Sequence, residues 1–570
     1  MTLADNPEAC NVAALLSDWA ERLPDRAAVI AYRSFNVDQP SAAESWTFRQ
    51  LDDDSSAIAL GLKSIGAVPG TRLAMLVPVG FEFVSLVFAC FKAGVVPIMI
   101  DPGMGRKNLI GCLAGAQPEG FLAIPKAQAI RTLLRSKFPA AKLNVTVGPR
   151  LFWGGVTLKQ LRANHLPEVA RDRVSVRGQL CQSQREDPAA IIFTSGGTGV
   201  PKGVHYCHGN FARQVQQIQE RYAIEPGGTD VACFPLFALF NAGMGNTTVL
   251  PKMNFSRPAQ ASPQHLVQVI AKHQATQAFA SPAVWRNVGA YCRRKQIKLP
   301  SVKRVLAAGA PVSPDVLQAM KNCLEPEGDM HTPYGATEAL PVASNSATCV
   351  LGETVNATRA GKGTCVGTRF SGIEWKVIEI EEGPIADITM AKEVPPGTIG
   401  EIIVRGEVVT KSYFNNPKAT AAAKISAANS FWHRMGDTGY LDEQDRFWFC
   451  GRVAHRVLTA AGTMYTIPCE ALFNNHPAVF RSALVGIGEP GQQEPVIVIE
   501  LEPATGGRPV SQHQWSTIKS ELQQIVETHE LTRNIKHVLR HPSLPVDIRH
   551  NVKIFREQLS GWAEKQLESR

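Results

Sequence analysis

Residues 191–210 read IIFTSGGTGVPKGVHYCHGN. An apolar β-type run ends at Phe193 and gives way to a loop of hydroxyls and glycines. Thr194, Ser195 and Thr198 supply hydroxyl donors. Gly196, Gly197 and Gly199 allow backbone N–H groups to turn inward toward an anion. Lys202 adds a point charge. These parts suit a phosphate cradle at the carboxyl end of a strand. It is not a P-loop of the G-x-x-x-x-G-K-[ST] type, because Lys202 lies between Pro201 and Gly203. His205, Cys207 and His208 form an H-x-C-H string, but that spacing fits no zinc pattern, so a metal site is not expected there.

Outward from this loop the same grammar repeats. AAVIAY (27–32), RLAMLVPV (72–79), VVPIMI (95–100), GFLAI (120–124), DVACFPL (230–236), TQAFAS (276–281) and RVLAAGA (304–310) are short apolar runs meeting Gly- or Pro-containing turns. FEFVSLVFACFKAG (81–94) spaces its apolar residues at about 3.6, a helix. Alternating strand and helix predicts an α/β fold with stacked, mostly parallel sheets. Ligands in such sheets bind beyond the carboxyl ends of the strands. After Gly363 the style changes: IEWKVIEI, GEIIVRG and FWFCG predict a β-rich subdomain over about 364–450. A final segment has its own strands, RSALVGIG and PVIVIEL, and its own helices, QHQWSTIKSELQQIVETHE and REQLSGWAEKQ. The expected division is an N-terminal domain over 1–450, a hinge at 451–455 and a small C-terminal α/β domain over 456–570.

Bulk properties narrow the classes. A chain of 570 residues is too long for one core. With 44% hydrophobic and 19% charged residues it is neither disordered nor fibrous. The formal charge of +9 comes from 59 basic and 50 acidic residues without a Lys/Arg block, so no nucleic-acid partner is expected. Twelve cysteines without C-x-x-C spacing read as buried, reduced thiols. The opening MTLADNPEAC has no basic n-region or apolar h-region. Pro78, Gly80, Glu82 and Lys92 interrupt the most apolar stretch, from Leu73 to Ile100, so no transmembrane segment is expected and a cytoplasmic location is.

Thr194 to Gly203 resembles the T-S-G-[ST]-T-G-x-P-K-G phosphate loop of the adenylate-forming superfamily, which includes acyl-CoA synthetases, adenylation domains and luciferases. Gly197 departs from it, where the family has Ser or Thr. Further motifs follow in family order. AAGAPVS (307–313), with Gly309, Ala310 and Pro311, resembles the turn that packs on adenine. YGATE (334–338) resembles the next motif. There the resemblance implies that Tyr334 and Gly335 flank adenine, Thr337 contacts the α-phosphate and Glu338 holds Mg²⁺. It implies ribose binding by Asp437 in HRMGDTGYLD, and ribose or phosphate contact by Arg452 in GRVAHRV. Lys553 in VKIFREQL resembles the lysine of G-K-I-x-R, carried on a mobile lid. The implied cofactors are ATP and Mg²⁺, and the implied activity is activation of a carboxylic acid as its adenylate. Lys202, Thr337 and Lys553 would act directly in the chemistry, stabilising charge as pyrophosphate leaves.

Four features depart from CoA-using members. Ala454 replaces the usual hinge Asp or Lys, and TAAGTMYTIPCE (459–470) is two residues longer than the family loop. PVDIRHNVK (545–553) replaces P-x-T-x-S-G-K, and Ala238 stands where many acyl-CoA ligases place His. The strings DPGMGR, KGVHYCHGNF, FPLFALFNAG, GRVAHRV and PVDIRHNVKIFRE are most similar to the branch of olefin β-lactone synthetases. That resemblance implies a long-chain 2-alkyl-3-hydroxy fatty acid as substrate and closure of its adenylate to a β-lactone. It also implies work alongside a thiolase-like enzyme, a reductase and a decarboxylase. Phe234, Phe237 and Phe240 would suit an alkyl tunnel, and equally a packed core. A medium- or long-chain acyl-CoA ligase and a non-catalytic nucleotide-binding scaffold are the alternatives. Retention of Lys202, Glu338, Asp437 and Lys553 argues against the scaffold.

Overall fold

A computed structural model describes residues 10–32, 43–101, 104–194, 201–234, 236–502, 510–547 and 553–568. The fold is α/β. Among the described residues it contains a fourteen-stranded and an eight-stranded sheet. Strands predicted from apolar runs are present at Ala27–Tyr32, Arg72–Leu76, Val96–Met99, Gly120–Ala123, Pro188–Phe193, Thr229–Ala232, Gln277–Ala280 and Arg304–Ala307. The predicted helix is Phe81–Ala93.

The runs lack polar alternation because both faces are covered. Every residue of Val96–Met99, Gly120–Ala123, Thr247–Leu250 and Gln277–Ala280 is buried. In the larger sheet Ala232, Leu250, Phe279 and Leu306 face one core, shared with helices and the second sheet. Val231, Val249, Ala278 and Val305 face the other.

The larger sheet changes character midway. Ala27–Tyr32, Thr247–Leu250, Thr229–Ala232, Gln277–Ala280, Arg304–Ala307 and Asp329–Ala336 pair in parallel, in that spatial order. Ala339–Ser346 then returns antiparallel to Asp329–Ala336. From there Thr364–Arg369, Arg446–Arg452, Ser430–Leu441, Gly400–Arg405 and Glu374–Ile378 extend the sheet antiparallel. The strands of the β-rich region therefore continue the large sheet. In the smaller sheet Gly203–Cys207 pairs antiparallel with Pro188–Phe193, and Ser412–Tyr413 with Gly203–Cys207.

Beyond Arg452 the chain makes the one-turn helix Val453–His455 and a hairpin, Val457–Thr459 with Gly462–Met464. The loop singled out as long in the sequence, 459–470, comprises the turn of this hairpin at Ala460 and Ala461, its second strand and the start of helix Thr466–Asn474. Val479–Ile487, Glu494–Leu501 and His537–Arg540 form a separate three-stranded sheet. Helices Gln512–Thr528 and Arg556–Glu568 complete this region, whose apolar clusters are distinct from the main core. Gly451 must be glycine for two reasons. Its φ is +135°, and a Cβ there would lie 2.5 Å from Thr466 Oγ1 at the start of helix Thr466–Asn474.

Among the described residues no helix is long and apolar enough to cross a membrane, and no three His, Cys, Asp or Glu residues cluster to hold a metal. All twelve cysteines are free thiols. His208 is fully buried, edge-on to Phe91, and its Nδ1 accepts the Val12 N–H. Burial pushes its pKa down to about 4.

Candidate active site

The switch from parallel to antiparallel pairing places the central motif. Asp329–Ala336 and Ala339–Ser346 form a hairpin, and Thr337 and Glu338 are its two-residue tip. The hairpin needs a glycine inside YGATE, because a Cβ on Gly335 would lie 2.6 Å from the Ala339 carbonyl oxygen. The tip thus stands beyond the carboxyl end of the parallel strand Asp329–Ala336, the side on which open α/β sheets bind ligands.

The smaller sheet grips this tip. The Tyr206 hydroxyl donates to the Thr337 carbonyl at 2.5 Å. The Tyr413 hydroxyl donates to Glu338 Oε1 at 2.6 Å. The Thr410 N–H and hydroxyl both donate to the Glu338 carbonyl, at 2.9 and 3.1 Å. Both tyrosines lie on paired antiparallel strands, of which Gly203–Cys207 begins next to Lys202, whose ammonium stands 5.0 Å from the centre of the Tyr413 ring. The loop carrying that lysine is closed at its base. The Thr194 N–H donates to the Lys202 carbonyl at 3.0 Å, and the Lys202 N–H to Thr194 Oγ1 at 3.1 Å. Ser195, Gly196, Gly197, Thr198 and Gly199 lie outside the described residues.

The second half of the site comes from the antiparallel strands. Asp437 and Arg452 are register partners across Ser430–Leu441 and Arg446–Arg452. Arg452 Nη1 donates to Asp437 Oδ1 at 2.6 Å, and the Tyr334 hydroxyl to Asp437 Oδ2 at 2.5 Å. Asp437 is buried while Arg452 is half-buried. The Asp437 carboxylate holds the Arg452 pKa up. Burial, then the Asp437 charge, pushes the Tyr334 phenol well above its usual value. Asp437, expected to hold the ribose, is therefore in direct contact with both Arg452 and the aromatic residue expected beside adenine. Gly309, Ala310 and Pro311 form the turn between Arg304–Ala307 and helix Pro314–Lys321, with Gly309 at φ +96°.

Neither Lys424 nor His433 stands out in the sequence. Lys424 donates to the Thr410 carbonyl, the residue that brackets Glu338, and stands 5.2 Å from the Phe431 ring centre. Burial pushes its pKa down to about 7, against the pull of Glu338. His433 is buried, and its Nδ1 lies 3.1 Å from the Ala423 carbonyl oxygen. Burial and the charges of Lys424, Arg452 and Lys202 drive its pKa well below the usual value. The three cations thus act on one spot beside the hairpin tip. A polyphosphate arriving there would raise the Lys424 pKa again, so binding is expected to take up a proton above about pH 7 and weaken as pH rises. Below that pH Lys424 is already charged and the dependence disappears. Calorimetry of ATP binding in buffers of different ionisation heat checks this. Uptake that persists unchanged in Lys424→Met would assign the proton elsewhere.

The magnesium expectation can be tested on the donors. Glu338 gives one oxygen to Tyr413, and its second accepts no hydrogen bond among the described residues. One carboxylate beside a phosphate loop fits Mg²⁺, which takes few protein ligands and is completed by phosphates and water.

Lys553 belongs to the C-terminal region and is exposed. Its N–H donates to Asp547 Oδ1 and its carbonyl accepts the Asp547 N–H, each at 3.0 Å. Arg556, three residues on, makes a fork to Glu470 at 2.5 and 3.0 Å and donates to the Leu484 carbonyl at 2.9 Å. Glu470 is buried and Arg556 is half-buried, so the fork is an anchor for the lysine segment. His455 lies within reach of both Arg556 and Arg452, and burial followed by those two charges pushes its pKa down to about 3.

The three phenylalanines pack together beyond strand Thr229–Ala232. Phe237 stacks on Phe279 with centroids 3.8 Å apart and meets Phe240 edge-on at 5.5 Å. Phe234 is 5.8 Å from Phe279.

Residues 16–414 match the AMP-binding enzyme family. The chain is 43% identical to an olefin beta-lactone synthetase of Stenotrophomonas maltophilia, over 98% of this chain and 99% of that one. It is 42% identical to an olefin beta-lactone synthetase of Xanthomonas campestris pv. campestris, over 98% of each. ATP-bound MatB from Rhodopseudomonas palustris shares the fold, with a TM-score of 0.75 at 19% identity, over 96% of this chain and 99% of that one. With the Thr337–Glu338 hairpin and its flanking cations in place, the chain belongs to the AMP-binding enzyme family, in the branch of the olefin beta-lactone synthetases, and is an AMP-forming, acid-activating ligase.

Proposed function

We propose that the enzyme activates a long-chain 2-alkyl-3-hydroxy fatty acid with ATP and Mg²⁺, then closes the adenylate to a β-lactone. In the first step a carboxylate oxygen bonds to the α-phosphorus and pyrophosphate leaves. In the second the 3-hydroxyl oxygen bonds to the activated carbonyl carbon, the carbonyl–phosphate link breaks, and AMP and the hydroxyl proton depart. The observation that carries the adenylation half is the Thr337–Glu338 tip, held between the Lys202 strand and the Asp437–Arg452 pair. The lactone half is supported by likeness to two olefin beta-lactone synthetases along nearly the whole chain.

Each residue has a proposed task. Asp437 accepts ribose hydroxyls, with Arg452 holding its carboxylate in place. Tyr334 and the turn Gly309–Pro311 hold adenine. Lys202, Thr337 and the loop from Thr194 to Gly199 hold the phosphates. Bound Mg²⁺, held by Glu338, would neutralise charge on the triphosphate. Residues 456–570 act as a lid turning about 451–455 and bringing Lys553 to the reacting carboxylate. An alkyl chain beside Phe234, Phe237 and Phe240 would need the Phe237 ring to slide off Phe279.

A tethered nucleophile saves the entropy of a second association and needs no thiol channel. Turnover of a 2-alkyl-3-hydroxy acid is therefore expected to be indifferent to CoA. The 3-deoxy analogue is expected to be adenylated and then stall, giving one equivalent of pyrophosphate in a burst. Following pyrophosphate and acyl products with both substrates, with and without CoA, checks this. Acyl-CoA formed as fast as AMP would make the enzyme an acyl-CoA ligase.

A further inference from the structure

The outer edge of the smaller sheet has an unusual surface. From Gly120 to Pro167 the chain carries no Asp or Glu and eight Lys or Arg. This segment builds the last three strands, Gly120–Ala123, Leu143–Thr146 and Val156–Thr157, with helix Pro125–Leu133 between the first two. Lys126, Arg135, Lys137, Lys142, Arg150 and Lys159 are exposed, and none makes an ion pair among the described residues. Two neighbouring acids are already neutralised, Glu119 by Arg72 and Asp54 by Arg162.

The same edge is apolar. Five of the nine large apolar side chains exposed among the described residues fall in this segment. Leu133 is 80% exposed, Phe152 73% and Leu151 65%. Their exposure is fixed by the residues beneath them. Buried Gln128 donates to the Phe121 and Val145 carbonyls, which turns Lys126, Ile130 and Leu133 outward at helical spacing. Trp153 is buried and donates to Thr146 Oγ1 at 2.9 Å, so it pins the loop that presents Leu151 and Phe152. That loop touches the start of the helix, since the Gly148 Cβ position lies 3.5 Å from Pro125.

We infer that this edge docks the enzyme on an anionic lipid surface, with Leu133, Leu151 and Phe152 entering the headgroup region and the surrounding lysines and arginines facing lipid phosphates. Cations ringing exposed apolar side chains match an acidic bilayer on both counts. A nucleic acid would satisfy the charges but leave the aliphatic groups without a partner. A second copy of the chain, docked through the same edge, would set cation against cation.

The test uses the full chain and vesicles without substrate, so it stands apart from the proposed reaction. Sedimentation with phosphatidylcholine vesicles, with and without phosphatidylglycerol, should show binding to the acidic set, weakened by salt. Lys126→Glu with Lys137→Glu should lower affinity at least about tenfold. Leu133→Asp with Phe152→Asp should also lower it, with thermal melting and ATP-dependent pyrophosphate release kept as checks of folding. The inference is overturned by no preference for acidic vesicles. It is equally overturned if charge reversal alone matters, as for a polyanion such as RNA, or if the Asp variant instead dissolves a self-associated form in size-exclusion chromatography.

Discussion

Glu338→Gln is expected to lower ATP-dependent turnover by about 10²–10³-fold at limiting Mg²⁺ while leaving the fold intact. The fold should survive because the amide oxygen of Gln can still accept the Tyr413 hydroxyl, and Thr410 holds the backbone of residue 338 and not its side chain. What changes is charge. A neutral amide is a poor ligand for a hard dication, so saturation by Mg²⁺ should shift to higher concentration. Steady-state AMP formation titrated with Mg²⁺ measures this directly. Turnover like that of the parent enzyme at limiting Mg²⁺ would remove Glu338 from the metal site. A parallel melt should show no more than a small change, since Glu338 makes no ion pair among the described residues.

Lys553→Ala is expected to slow pyrophosphate release by about 10²-fold while sparing ATP affinity and lactone closure. The local structure should tolerate the change. Residue 553 is held by two backbone-directed bonds with Asp547, and the segment is anchored further on by the part-buried Arg556–Glu470 fork. Alanine keeps all of these. The task proposed for the ammonium falls in the first step, as the carboxylate approaches the α-phosphate and negative charge accumulates. The rate of closure from chemically supplied acyl-adenylate should therefore match that of the parent enzyme. Equal slowing of both steps would show that Lys553 acts on the second or on the lid as a whole.

The legible part of this protein is local. The central strands were readable because a strand buried on both faces is built from apolar residues, as Val96–Met99 and Gly120–Ala123 are. The motifs were readable because each is a short stretch whose backbone must turn in one way. Gly335 and Gly451 have no room for a Cβ, and Thr194 and Lys202 clasp the base of one loop. Asp437 and Arg452 are only fifteen residues apart and meet by simple hairpin register.

What the sequence did not reveal is long-range. Tyr206 reaches Thr337 across 131 residues, and Tyr413 reaches Glu338 across 75. Nothing in KSYF or AAAKIS marks Tyr413 or Lys424, since an isolated tyrosine or lysine is ordinary until a particular neighbour faces it. The joining of the β-rich strands to the parallel sheet was equally hidden. Strand partners are fixed by hydrogen bonds between distant segments, not by the composition of either one. The sequence by itself determined the α/β class, the order of the motifs and the chemistry they can offer. Only the tertiary structure decided that two sheets meet at the Thr337–Glu338 tip and that Lys424 is half-buried there in the field of Glu338, because burial and charge proximity belong to the packed chain.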